Sequence, residues 1–226
     1  MIGLLEALEL ARRDFPRGPE SLATALGAVV NYSPLSGTEG WCMVTPDRIT
    51  IRINNSSPLT RQRFTLAHEL AHVLIGSDTE ILDTQDGCSD THSEEVAANE
   101  IASELLVPKE ILVSELGNSG PVSGEAIQKL QQLGSVSWIV VARRIAKDAK
   151  SFGVRKAAVA EFRNGNYWYQ FPNGSFPRQT LCRLYAALLA SGTDSMAVPN
   201  RESFSGTMIL KSMPFSDALL IQANPS

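Results

Sequence analysis

Apolar residues recur at helical spacing at the start of the chain (Leu4, Leu5, Leu8, Ala11) and predict an amphipathic helix that ends before Pro16. A second short helix is expected over 19–26, with Gly27 as its stop. AVVNYSP, WCMVT and ITIRIN follow, a glycine-containing loop separating the first two. In the last of these, Ile49, Ile51 and Ile53 alternate with polar residues, the pattern of a half-buried strand. Ser56-Ser57-Pro58 signals a helix entry, a hydroxyl cap with proline in the first turn. The helix it opens runs through RQRFTLAHELAHVLI to Gly76. The polar, acidic stretch from 77 to 90 predicts a loop, and a helix from about His92 to Val107 is closed by Pro108. Shorter helices are expected near 108–116, 123–133 and 137–149, the last two separated by Gly134 like a helix-turn-helix pair.

Past Gly153 the pattern changes to strands. AAVAEF and YWYQF flank Asn164-Gly165, a strong hairpin signal. A helix, RQTLCRLYAALLA, follows Pro177, and SMAVP, TMILKSM and ALLIQA read as short strands. The fold class is therefore α+β. A boundary near residue 152 separates a mainly helical domain with a small β-sheet (1–152) from a small α+β C-terminal domain (153–226). At 226 residues, 43% hydrophobic and 19% charged, the chain can bury a core without covalent staples. The net charge of −4 provides no global attraction for nucleic acid or anionic membranes. No apolar run approaches the roughly 18 residues of a membrane span. The first 15 residues carry glutamates inside the apolar run and arginines after it, the reverse of a signal peptide. Cys42, Cys88 and Cys182 are odd in number and widely spaced, which argues against a disulfide framework and makes a reducing cytoplasm the simplest location.

Candidate chemistry centres on His68-Glu69-Leu70-Ala71-His72. Four helical residues advance about 400° and about 6 Å, so the two imidazoles leave one face a turn apart and can meet one ion at about 2.0–2.1 Å. Glu69 lies about 100° round, beside that ion rather than on it. Zinc lowers the pKa of its water towards ~7, and Glu69 is placed to take that proton and pass it to a leaving amine. A catalytic zinc needs a third protein ligand and an open position. The extended motif, with Gly and His three and six residues after the second histidine, is absent: Ile75 and Asp78 stand there. The next helix offers Glu95, with Glu94 and His92 as rivals. Asn99, four residues after Glu95 on the same face, is expected to hydrogen-bond the second nitrogen of a ligand histidine. One zinc per chain follows. The plainer alternative is a solvated helix start whose acids offset the dipole.

Two ordered motifs, Arg63-Phe64-Thr65-Leu66-Ala67-His68-Glu69-Leu70-Ala71-His72 and Glu95-x-x-Ala98-Asn99-x-x-Ala102-x-x-Leu105-Leu106-Val107-Pro108, resemble the ImmA/IrrE-type metallopeptidases, with likeness over about residues 1–150. Ala71 stands for a usual glycine, Ile101 for phenylalanine and Val107 for methionine. A second acid often seen two residues before the asparagine is Ala97 here, which leaves Glu95 as the matching ligand. The resemblance implies a thermolysin-like zincin core and a zinc-dependent, site-specific endopeptidase. It also implies a protein substrate, a helix-turn-helix transcriptional repressor whose removal derepresses stress-response or mobile-element genes. Residues 153–226 resemble no segment of that family.

Ten acids crowd 78–110 against the single Lys109, while Arg143, Arg144, Lys147, Lys150, Arg155, Lys156 and Arg163 crowd 143–163. Both read first as solvated faces, and otherwise as a charged groove orienting a protein substrate. A DNA-binding regulator is one competing function, opposed by the net acidity and by Trp138, Ile139, Val140 and Val141, which would bury the reading helix. A non-catalytic metal-binding regulator that sequesters a protein partner is the other; it needs the histidines but not Glu69. Cys88 could cover the open zinc position. Tyr32 and His92 are oxyanion candidates with no motif behind them.

Overall fold

Alternating burial in the segment Arg48–Asn54 sets the first sheet: Ile49, Ile51 and Ile53 are buried while Arg48, Thr50 and Arg52 are not. The computed structural model describes residues 2–78, 91–117, 121–172, 174–198, 205–213 and 216–224. By packing it divides into two compact units, 1–108 with 133–136, and 109–132 with 137–226.

The first unit opens with α1 (Leu4–Arg13), which buries Ala7 and Ala11 one turn apart, and α2 (Gly18–Ala25), which has Pro19 in its first turn. Three strands follow, β1 (Val29–Ser33), β2 (Gly40–Thr45) and β3 (Arg48–Asn54). The order is β1-β3-β2, with β1 parallel and β2 antiparallel to β3. The half-buried strand ITIRIN is thus the centre of the sheet, and β2 is an edge. The long helix α3 (Leu59–Asp78) packs against β2 and β3, and α4 (Thr91–Leu106) packs along α3. Both helices bury small residues completely, Ala67 and Ala71 on α3 and Ala98 and Ala102 on α4. Small side chains let helix axes approach closely. The Ser57 hydroxyl does not cap α3: it donates to the Glu39 carboxylate, while the Gln62 side chain donates to the Ser57 carbonyl at 2.7 Å.

Gly40 marks where β2 meets α3. A Cβ there would stand 2.5 Å from Thr65 Cγ2 and 2.8 Å from the Arg52 carbonyl oxygen. Gly40→Ala is therefore expected to push β2 off α3 and cost about 1–3 kcal/mol, the range for overpacking a filled site; urea denaturation of the variant measures it.

The second unit begins with α5 (Lys109–Leu116), α6 (Gly124–Gly134) and α7 (Trp138–Lys147), with a 3-10 turn at Ala149–Phe152. A five-stranded antiparallel sheet follows, built from β4 (Lys156–Arg163), β5 (Asn166–Phe171), β6 (Ser195–Ala197), β7 (Gly206–Met213) and β8 (Ser216–Ala223) in the order β5-β4-β8-β7-β6. Asn164 and Gly165, both at positive φ, turn β4 into β5, as a two-residue hairpin requires. Between β5 and β6, α8 (Arg178–Ser191) lays Leu181, Leu184 and Leu188 on one face of the sheet with Ala158, Ala160, Phe162, Met208, Leu219 and Ile221. α7 packs on β4 and β8, burying Trp138, Val140, Val141 and Ile145. The would-be reading helix of a helix-turn-helix is thus a core helix. Packing and sequence divide the chain differently: the boundary expected near 152 lies inside the second unit, because the apolar face of α7 belongs to the C-terminal sheet.

Candidate metal centre

α3 sends the two histidines of its motif to the same side, and α4 brings one acid to meet them. His68 Nε2 lies 3.1 Å from His72 Nε2. Glu95 completes a triangle, with Oε2 3.4 Å from His68 Nε2 and Oε1 3.3 Å from His72 Nε2. Donors about 2.0–2.1 Å from a tetrahedral ion lie about 3.3–3.4 Å apart. The observed separations match that spacing, so the donor set fits a zinc ion. Two unprotonated imidazole nitrogens and a carboxylate are also the chemistry zinc prefers. Among the described residues this is the group of three acids or histidines able to share an ion.

The rivals separate by position. Glu94 Oε1 lies 3.2 Å from His72 Nδ1, the outer nitrogen, and so sits behind the imidazole rather than among the donors. A carboxylate there fixes a ring's orientation. Glu94→Gln is expected to weaken metal affinity by roughly 10–100-fold, as loss of such partners does elsewhere; competition with a fluorescent zinc chelator reads it out. Asn99 lines the same pocket and acts on the His68 imidazole, but its amide donates to the Glu95 carbonyl at 2.7 Å. Among the described residues His68 Nδ1 is buried with no partner at hydrogen-bond distance, and the outer nitrogen of His72 has Glu94 beside it. The side chain of His92, and Cys88 with the acidic stretch 79–90, lie outside the described residues.

Glu69 lies beside the triangle, 8% exposed. Burial holds its carboxyl above the usual carboxylate range, with the Cys42 thiol pulling the other way. Cys42 lies on β2, facing Glu69, and burial with that carboxylate pushes its thiol up to about 11. Burial, then His72, hold His68 below the usual imidazole range, which favours the neutral, ligating form. The open pocket around these groups is about 560 Å³ and is walled on one side by Gly40, Trp41 and Cys42 of β2. No sequence pattern singled out Cys42 here. Its place depends on β2 being an edge strand that Gly40 lets close on α3.

An HExxH helix whose histidines could share an ion, an acid supplied by the following helix and a neighbouring edge strand have the arrangement of a metallopeptidase-type centre in an α+β fold. Residues 23–146 match the IrrE N-terminal-like domain of the M78 peptidases, and the chain belongs to that family. It is 32% identical to the radiation response metalloprotease IrrE of Deinococcus radiodurans over 120 residues, 51% of this chain and 36% of that protein. The same figure, 32%, holds over 121 residues for the IrrE of Deinococcus deserti, 49% of this chain and 40% of the relative. The match thus spans less than half of these relatives. In fold, a Mycobacterium tuberculosis transcriptional regulator is similar at a TM-score of 0.61 and 15% identity, over 99% of this chain and 82% of that one. No described helix is long and apolar enough to cross a membrane.

Proposed function

We propose that the chain is a zinc-dependent endopeptidase with a zincin-like active-site helix, carried by a peptidase domain over about 1–152. The observation that carries this reading is the triangle of His68 Nε2, His72 Nε2 and a Glu95 carboxylate at 3.1–3.4 Å, with Glu69 buried beside it. These three residues would hold zinc, which when bound supplies Lewis acidity at a scissile carbonyl and acidifies water. Glu69 takes the proton released by the attacking water and returns it to the departing amine nitrogen. Burial raises its proton affinity, which helps it to accept the proton before returning it. An extended peptide binds along β2, which among the described residues pairs with β3 alone, its other edge taking the main-chain hydrogen bonds. Glu94 holds His72 in its ligating orientation, and Asn99 lines the floor near His68.

The substrate is a protein, by the family's likeness a helix-turn-helix transcriptional repressor, and its removal releases a stress response in the cytoplasm. The test compares zinc-loaded wild type with Glu69→Gln in an N-terminal proteomic survey of host lysate. New N-termini in a helix-turn-helix protein, absent with Glu69→Gln and with chelator, support the reading. A wild type that generates no more new N-termini than Glu69→Gln contradicts it.

A further inference from the structure

We propose that the second unit carries a binding site for a small ligand bearing a polyphosphate group, in the groove between the start of α5, the end of α7 and the first residues of β4. The groove is open and holds about 400 Å³, within the range of small-molecule sites. Five cations line it, Lys109, Lys147, Lys150, Arg155 and Lys156, against one acid, Asp148. Asp148 is already engaged, 2.8 Å from Arg144 Nη2 and 3.8 Å from Lys109 Nζ. All five residues are exposed, and Lys156 Nζ lies 4.9 Å from the centre of the Phe176 ring.

Two features separate this from an ordinary solvated face. The cations come from four elements, α5, α7, the 3-10 turn and β4 with its lead-in, and they converge on one concavity in a chain whose net charge is −4. Lys109 also opens α5, where the helix dipole disfavours a cation. Its ion pair with Asp148 offsets part of that cost, whereas Lys147 at the end of α7 is favoured by the dipole. Ser151 and Ser175 add hydroxyl donors to the same wall, and alanines 146, 149 and 157 leave room for a bulky anion. Phosphate oxygens accept from ammonium, guanidinium and hydroxyl donors alike.

The experiment is calorimetric titration of the full, zinc-loaded chain with inorganic tripolyphosphate at 150 mM salt, beside the doubly charge-reversed Lys150→Glu/Arg155→Glu. Both side chains are exposed, so the variant folds, and circular dichroism verifies it. Both proteins keep the metal centre, so zinc chelation by the titrant cancels in the comparison. Saturable one-to-one binding, weakened at least about 30-fold by the double reversal and left unchanged by Lys211→Glu elsewhere in the unit, supports the site. Binding no tighter than that of citrate, or indifferent to the reversal, overturns it. A 20-nucleotide single strand that binds at least tenfold tighter than tripolyphosphate also overturns it, because the groove would then be part of a nucleic-acid track. Vesicles containing phosphatidylinositol bisphosphate distinguish a lipid-borne group from a free one: capture that tripolyphosphate competes away supports the same chemistry from a lipid source.

Discussion

Glu69→Gln is expected to lower peptide cleavage at least ~100-fold in kcat while leaving zinc content and fold unchanged, the lower end of what general acid–base groups contribute. Glutamine keeps the shape and the hydrogen-bonding reach of the carboxylate but has no basic oxygen. Glu69 is not among the three donors within 3.1–3.4 Å of one another, so its loss leaves the metal triangle intact. It is also buried against Cys42, where a neutral amide costs less to desolvate than the carboxylate it replaces. Stability should therefore hold or rise slightly. Steady-state cleavage of the identified substrate, with elemental analysis and thermal melting on the same samples, checks all three quantities. Loss of zinc together with activity would move Glu69 from proton transfer to metal binding.

The second large effect concerns architecture. Arg63 is 9% exposed, and its guanidinium ties α3 to three other parts of the first unit. Nε donates to Glu20 Oε1 at 2.9 Å and Nη2 to Glu20 Oε2 at 3.3 Å, while Nη1 and Nη2 donate to the carbonyls of Gly134 and Pro16. Arg63→Ala strands a carboxylate and two carbonyls together. Removing one partner of a buried pair costs about 3–5 kcal/mol, and because Glu20 keeps a third of its side chain exposed, the lower end, about 3 kcal/mol, is expected. Arg63→Lys restores the charge without the fork and should recover only part of this. Urea denaturation reads both; a loss below about 1 kcal/mol for the alanine variant would show that the carbonyls find other partners.

The histidine pair was legible because helical spacing alone puts residues four apart on one face. The second motif's resemblance singles out Glu95 over Glu94, and the rotation of α4 gives that choice a physical reason. The signal was present in the sequence: Glu95, Ala98, Ala102 and Leu105 follow one another at intervals of three, four and three, and the last three are buried completely. Glu95 thus continues the stripe that faces α3, and Glu94 stands one position off it. Other parts were not legible. Ser57 has the form of a helix cap, but its hydroxyl serves Glu39 from the neighbouring loop, a contact eighteen residues apart in sequence. Cys42 reaches Glu69 only through the packing of an edge strand on a helix. The apolar face of α7 fits a helix-turn-helix core as well as a helix on a sheet; periodicity fixes which side is buried but not by what.

Bound zinc, measured by elemental mass spectrometry on wild type, Glu95→Ala and His72→Ala purified from zinc-replete medium, tests the centre most directly. The geometry predicts about one zinc per wild-type chain and loss of it in both variants, since two remaining donors do not hold the ion against dialysis. A metal-free wild type, or full zinc retained by Glu95→Ala, would contradict the three-donor centre.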